Sequence, residues 1–165
     1  MITTSKITPF LWFDKQAEEA AHFYTSVFPN SKIITVTRYG EAGKEVHGMP
    51  PGSAMTVAFE LVGLPFTALN GGPKFKFTEA VSFVIHCETQ AEVDHFWTKL
   101  GEGADPKAQQ CGWLKDKFGL SWQIIPDVLS QLMGDPDPAK SGRVMQAMLQ
   151  MKKIDISALK KAYAG

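Results

Sequence analysis

The chain has 165 residues, a mass of 18.2 kDa and a formal net charge of zero, with 17 basic and 17 acidic residues. A chain of this length suits one domain, or two small repeated modules that share a core. The neutral balance lacks the excess of basic residues that a nucleic-acid-binding surface needs, so we expect no nucleic-acid partner.

The first ten residues, MITTSKITPF, show neither the charged nor the apolar region of a secretory signal. No apolar run is long enough to span a bilayer, so we expect no membrane partner and a cytoplasmic location. Without export, Cys87 and Cys111 are expected to be free thiols, with a single disulfide as the alternative.

The first half of the chain has one predicted helix among four predicted strands. The strands lie at 7–13, 31–39, 55–61 and 64–70, and the helix lies at 16–28. A segment rich in glycine and proline, residues 39–53, separates the second strand from the third.

The second half repeats this order and then changes character. Strands are predicted at 80–86, 109–115 and 120–126, with a helix at 90–100. That helix opens with Thr89 and Glu92 at the spacing of a capping box. Helical spacing follows at 128–133, 139–151 and 156–164, interrupted by GDPDP at 134–138.

Two fixed shifts bring the halves into register. A shift of 73 residues aligns Phe10 with Phe83, and a shift of 56 aligns Phe66 with Trp122. We therefore predict an α+β fold of tandem β-α-β-β-β units, about residues 1–75 and 76–126, that form a curved, partly open mixed sheet. The C-terminal helices, residues 127–165, are predicted to pack on this body or on a partner subunit.

The duplicated unit, closed by the hairpin CGWLKDKFGLSWQIIP, resembles the vicinal oxygen chelate superfamily of glyoxalases, bleomycin-resistance proteins and extradiol dioxygenases. Further stretches are similar to its PhnB-like branch: ITPFLWFDKQAEEAAHFYTSVFPNSKI, FTALNGGPKFKFTEAVSF and MQAMLQMKKIDISALKKAYA. The resemblance implies a small-molecule ligand and a homodimer. Members often carry the name 3-demethylubiquinone-9 3-methyltransferase. Neither strand–helix turn, FDKQAE or HCETQAE, has the glycines of a conventional S-adenosylmethionine site, so we do not expect methyl transfer.

The resemblance also implies four positions at which related enzymes hold a metal. These positions are Pro9, Thr67, Ser82 and Gln123. Proline has no donor atom, and the other three are weak neutral ligands beside the His and Glu that metal sites use. We therefore expect neither a metal site of the usual kind nor a cofactor.

Five residues are candidates for ligand binding. Thr67, Ser82 and Gln123 either hydrogen-bond a ligand or merely hydrate the sheet. Strand alternation places His86 on the face of Ser82, as a binding or acid–base residue or as a satisfied strand-end histidine. Trp113 either stacks on a planar ligand or makes an apolar hairpin or subunit contact. The same alternation assigns Trp122 to the core.

Other residues carry weaker expectations. Cys111 as a nucleophile is the least favoured alternative, and the amides of the turn at 70–73 are an alternative ligand contact. Glu60 is either a cleft carboxylate or an exposed strand residue. His22 and His95 are expected to pack or cap at the outer face of the sheet, and His47 to be solvated.

These expectations favour a small-molecule-binding protein of the glyoxalase and bleomycin-resistance type. Two alternatives stay open. The first is a lyase, isomerase or dioxygenase-like enzyme of the same superfamily, with a displaced metal site or with His86 as its base. The second is a structural or interaction module.

Overall fold

The computed structural model describes residues 5–165 and divides into two compact units, with the boundary between Lys76 and Phe77. Each unit has an open mixed sheet with helices packed against it, which confirms the predicted α+β class. Part of the stretch in which no secretory signal was found, residues 1–4, lies outside the described residues. Between residues 5 and 165, no helix is both long and apolar enough to cross a membrane.

Between residues 5 and 76, the first unit contains four strands, one long helix and one short helix. Its elements are β1 (Phe10–Phe13), α1 (Ala17–Val27), β2 (Lys32–Arg38), α2 (Lys44–His47), β3 (Ala54–Leu61) and β4 (Leu64–Asn70). The strand order is β1-β4-β3-β2, with β1 parallel to β4 and the other pairs antiparallel. Small alanines and Tyr24 on α1 are fully buried, so the helix lies close to the sheet.

Asn70 connects the end of β4 to the start of α1. Its Oδ1 accepts a hydrogen bond from the Ala17 amide at 2.8 Å, and its Nδ2 donates to the Ala54 carbonyl at 3.0 Å. Gln16, the residue before the helix, supplies no side-chain cap. A buried asparagine from a distant strand therefore satisfies a helix amide that local sequence leaves unpaired.

The turn after β4 lies against Trp12. A Cβ added at Gly71 would lie 2.2 Å from the indole ring, while Trp12 Nε1 donates to the Gly72 carbonyl at 2.9 Å. The amides of Gly71 and Gly72 donate to the carbonyls of Phe13 and Asp14. These two amides are thus used within the unit and are not available to a ligand.

The second unit contains three strands and four helices. Its elements are β5 (Ser82–Cys87), α3 (Gln90–Leu100), β6 (Trp113–Lys115), β7 (Ser121–Pro126), α4 (Asp127–Met133), α5 (Pro138–Leu149) and α6 (Ile156–Ala164). The strand order is β5-β7-β6, with β5 parallel to β7. A 3-10 turn at Pro106–Ala108 and a single bridge at Gln110 precede β6, where the first unit has a full strand. The capping box of Thr89 and Glu92 is present as predicted.

The strand pairing corrects the predicted repeat by one residue. Phe10 pairs with Thr67 on β4, and Val84 pairs with Gln123 on β7. Thr67 and Gln123 are equivalent at the shift of 56, so Phe10 corresponds to Val84, which lies 74 residues further along the chain. Ser82 therefore corresponds to Thr8, and its predicted equivalence with Pro9 is wrong. Three residues connect β1 to α1 but only two connect β5 to α3, so a shift of 73 fits the helices and misplaces the strands.

The C-terminal helices pack within the second unit. A small buried cluster forms their core: Leu129, Val144, Ile154 and Leu159. The consecutive amides of Cys111 and Gly112 donate to the carbonyls of Met151 and Lys152, each at 2.8 Å. The side chain of Gln90 also accepts from the amide of Ile156 at 2.8 Å. The segment before β6 and the start of α3 are thereby tied to the tail.

The hairpin between β6 and β7 is organised by Asp116, which is buried. Its Oδ1 accepts from the amides of Phe118 and Leu120 at 2.9 and 3.0 Å, and its Oδ2 accepts from Trp122 Nε1 at 2.9 Å. Trp122 is 2% exposed, as predicted for a core residue. The acidic residue of the hairpin is therefore a turn-forming group and not part of an active-site rim.

We expect Gly71→Ala to destabilise the first unit, because the new methyl group would overlap the Trp12 ring. The expected loss is about 1–3 kcal/mol in the free energy of unfolding, measured by urea denaturation. Gly40→Ala is the matched control, since nothing lies within 4 Å of its Cβ position. Equal stabilities of the two variants would show that Trp12 moves aside at no cost.

We expect Asp116→Asn to destabilise the second unit by about 2 kcal/mol or more, because an amide NH₂ cannot accept from Trp122 Nε1 while the carbonyl serves the two turn amides. Thermal or urea unfolding measures the loss. Asp105→Asn is the control, because the Asp105 side chain accepts an exposed turn amide, which asparagine also caps well. A loss no larger than that of the control would contradict the assigned role of Asp116.

Candidate functional site

One face of the second sheet is not covered by α3, and we call it the open face. Six of its members are Ser82 and Val84 on β5, Ser121 and Gln123 on β7, and Trp113 and Lys115 on β6; the face continues to His86 on β5 and Ile125 on β7. In the register, Ser121 lies opposite both Ser82 and Lys115, and Gln123 lies opposite both Val84 and Trp113. Directly opposed side chains on one face have Cβ atoms about 5 Å apart, so these six form a continuous surface.

The structure brings two of the predicted binding residues into direct contact. Gln123 Nε2 donates a hydrogen bond to Ser82 Oγ at 2.9 Å, and both side chains are half-buried. No described residue hydrogen-bonds to the amide oxygen of Gln123. The pair can therefore present a hydrogen-bond acceptor from the open face to a bound molecule.

Trp113 borders a concavity of about 360 Å³ at the β6 edge of the open face. The lining residues are Glu79, Lys107, Ala108, Gln110, Cys111, Trp113, Leu114, Lys115 and Ser121. This volume falls within the range of small-molecule sites, and the lining combines an aromatic ring with a few polar groups. Of the residues predicted to bind a ligand, Trp113 alone lines this concavity.

Ser121 is a site residue that sequence reasoning did not single out. Its side chain is 2% exposed, and its Oγ has no hydrogen-bond partner among residues 5–165. Alternation along 120–126 puts Ser121 on the same face as Gln123, which was the available signal. Its burial and its lack of a partner depend on the neighbouring strands, so the local pattern could not reveal them.

Charged groups flank Ser121. Lys115, directly opposite on β6, forms an ion pair with Glu79. The hydrogen bond from Lys115 lowers the pKa of the Glu79 carboxyl below its usual value. A further basic residue, Lys107 of the 3-10 turn, also lines the concavity. The concavity thus holds one ion pair and one additional positive charge.

His86 lies at the far end of β5 and does not line the concavity. Its side chain is exposed, and its Nδ1 lies 3.6 Å from Asp127 Oδ1 at the start of α4. The sequence correctly placed it on the face of Ser82, but the structure pairs it with a carboxylate near the surface.

The other histidines differ from expectation. His47 is not simply solvated: its ring accepts from the Met49 amide and lies 4.5 Å from the Tyr39 ring. His22 and His95 are exposed on their helices, and the His95 ring lies 5.1 Å from the Phe96 ring.

Two of the remaining candidates belong to the first unit. Thr67 is half-buried on β4 opposite Phe10, and its amide donates to the Pro9 carbonyl at 3.0 Å. Glu60, on β3, lies 3.7 Å from Lys32 in a surface ion pair, in keeping with an exposed strand glutamate.

Within the described residues, no three His, Cys, Asp or Glu side chains are grouped so that they could hold a metal ion. The register shift replaces Pro9 by Thr8 as the counterpart of Ser82. Threonine does have an oxygen, but its neutral hydroxyl is a weak ligand beside imidazole or carboxylate. The corrected set of positions therefore still lacks the ligands that a divalent metal favours.

The two cysteines are free thiols in different environments. Cys87 is fully buried, and burial raises the pKa of its thiol from 9.0 to about 12. The folded state therefore keeps this thiol protonated up to a pH of about 12, whereas the thiol of the unfolded chain ionises from about pH 9.0. The free energy of unfolding therefore falls as the pH rises from 9.0 towards about 12. Cys111 is partly exposed at the concavity, with a backbone φ of +51°.

At pH 8 we expect a thiol-specific reagent to modify one cysteine in the native protein and two in denaturant. Thiolate is the reacting form, so Cys87 is protected by burial and by its raised pKa, and Cys111 reacts. Cys111→Ser should abolish native labelling, and Cys87→Ser should leave it unchanged. Native labelling that survives in Cys111→Ser would show that Cys87 becomes accessible.

Comparison with known proteins gives the family. A model of the 3-demethylubiquinone-9 3-methyltransferase family matches residues 5–125. The chain is 36% identical to a PhnB protein from Bacillus cereus, provisionally described as a 3-demethylubiquinone-9 3-methyltransferase, with a TM-score of 0.63. That match covers 74% of this chain and 99% of the other. No curated protein matches the chain.

Two more distant structures share the fold. Protein PA1353 from Pseudomonas aeruginosa is 18% identical with a TM-score of 0.57, over 74% of this chain and 98% of the other. The fosfomycin resistance protein FosX from Mesorhizobium loti is 13% identical with a TM-score of 0.54, over 82% and 100%. The chain therefore belongs to the PhnB-like family described as 3-demethylubiquinone-9 3-methyltransferase.

Proposed function

We propose that the protein binds a small molecule at the open face of its second unit, in the manner of a glyoxalase or bleomycin-resistance type binding protein. The observation that carries the proposal is the buried hydroxyl of Ser121, which no described residue hydrogen-bonds, in a residue that lines the 360 Å³ concavity.

An unpaired buried hydroxyl costs about 1–3 kcal/mol, and native proteins retain few such groups. A ligand that hydrogen-bonds to Ser121 would remove this cost, and the gain would make the free energy of binding more favourable. Trp113 and the Ser82–Gln123 pair add an aromatic surface and a free amide oxygen on the same face. An aromatic surface and a few placed polar groups are features by which a site orients a small molecule.

The family description names methyl transfer, and we do not extend that chemistry to this chain. The helix N-termini that follow β1 and β5 are already occupied by the chain itself. The Ala17 amide donates to Asn70, and Thr89 and Glu92 cap α3 reciprocally. Neither connection contains the glycines that would let a cofactor approach the backbone.

The enzymatic alternative is supported less well. A base at His86 would act at the surface beside Asp127, outside the lining of the concavity. The homodimer, the cytoplasmic location and the lack of a nucleic-acid partner stay predictions from the sequence, as does a role for Thr67 in ligand contact.

A library of small molecules screened by thermal shift tests the proposal, because a ligand that binds only the native state raises the melting temperature. We expect hits, and we expect Gln123→Ala to weaken them several-fold through loss of its hydrogen bonds. Gln131→Ala, an exposed glutamine on α4, is the matched control and should leave binding unchanged. Hits that tolerate Gln123→Ala and Ser121→Ala equally well would place the ligand elsewhere, and a screen without hits would favour an interaction module.

A further inference from the structure

We infer that the concavity takes an aromatic carboxylate: a flat ring that carries one anionic oxygen group. The inference rests on the proposed function and specifies its ligand. It is drawn from the charge of the lining residues, the aromatic ring of Trp113 and the unpaired hydroxyl of Ser121, which is also a lining residue.

The charge of the lining favours an anion. Two lysines, Lys107 and Lys115, and one glutamate, Glu79, are among the residues that line the concavity, which gives a net charge of +1 in a chain of zero net charge. Glu79 is committed to Lys115, so the unbalanced charge belongs to Lys107. Lys152 contributes a further ammonium nearby, since its Nζ donates to the Pro106 carbonyl at 3.5 Å. Asp105 is the adjacent acid, and its carboxylate accepts the Lys107 amide.

The unpaired hydroxyl favours an oxygen acceptor. Ser121 can donate one hydrogen bond, and the opposed Lys115 is a cation rather than an acceptor. An anionic oxygen forms stronger hydrogen bonds than a neutral one. A carboxylate placed between Ser121 and Lys107 would meet a donor and a positive charge together.

Trp113 favours a flat ring beside that carboxylate. It lies opposite Gln123, two residues along β7 from Ser121, which is about 7 Å along the strand. One aromatic ring with its carboxyl group spans this length. Its ring could stack against the half-buried indole while its carboxylate reaches Ser121.

The test measures the binding of four probes to the full-length protein by calorimetry and thermal shift. The probes are 2-naphthoate, neutral 2-naphthamide, cyclohexanecarboxylate and inorganic phosphate. We expect 2-naphthoate to bind at least about tenfold more tightly than each of the others, and to weaken as salt is raised. Equal binding of 2-naphthamide would overturn the role of charge, and equal binding of cyclohexanecarboxylate or phosphate would overturn that of the ring.

Variants locate the site. Ser121→Ala should weaken 2-naphthoate about tenfold and leave the melting temperature of the free protein unchanged or higher, because the substitution removes an unpaired buried group. Lys107→Gln should weaken it about threefold and reduce the salt dependence, with Lys161→Gln, on α6, as the control. Binding that is insensitive to both Ser121→Ala and Lys107→Gln would overturn the inference.

The outcome separates the inference from the proposed function. If neutral library compounds bind in a Gln123-dependent way and 2-naphthoate does not, the ligand class is wrong and the binding function stands. If neither 2-naphthoate nor any library compound binds, both are wrong.

Discussion

The pairing of β7 with a strand on each side is the interaction on which the second unit depends. Parallel pairing with β5 and antiparallel pairing with β6 fix which side chains of β7 face α3. Trp122 and Ile124 are buried on that side, whereas Ser121 and Gln123 share the other face with Trp113. Because side chains alternate with a period of two, a slip of one residue would exchange the core and the open face. The candidate site therefore exists only in this register.

Buried polar side chains fix the ends of strands in both units. Asp116 closes the β6–β7 hairpin with three hydrogen bonds, one of them from Trp122 on the core side. In the first unit, Asn70 at the end of β4 accepts a hydrogen bond from the Ala17 amide at the start of α1. Each group has its partners, so burial carries little cost. Ser121 departs from this pattern, because its buried hydroxyl has no hydrogen-bond partner among residues 5–165.

The elements themselves were largely predictable. The bounds of α3 and β4 coincide with the prediction, because a capping box and a Gly-Gly-Pro turn mark their ends. The counterpart of Ser82 in the first unit was not predictable from the sequence. The identical phenylalanines at positions 10 and 83 suggested one shift for strand and helix, although the connections before the two helices differ in length. Alternation correctly placed Ser82 and Gln123 on one face. The burial of Ser121 and the pairing of His86 with Asp127 arise from neighbouring strands and from α4, which no local pattern describes.

The hydrogen bonds from Cys111 and Gly112 to the tail have a practical consequence for where the chain can be divided. The family match ends at residue 125, and Pro126 looks like a natural end of the duplicated unit. A fragment cut there would leave the amides of Cys111 and Gly112 without their acceptors, and would expose Ile125, which packs against the helical cluster. The helices beyond Pro126 are thus part of the minimal folding unit of the second half, and Lys76 is the better point of division.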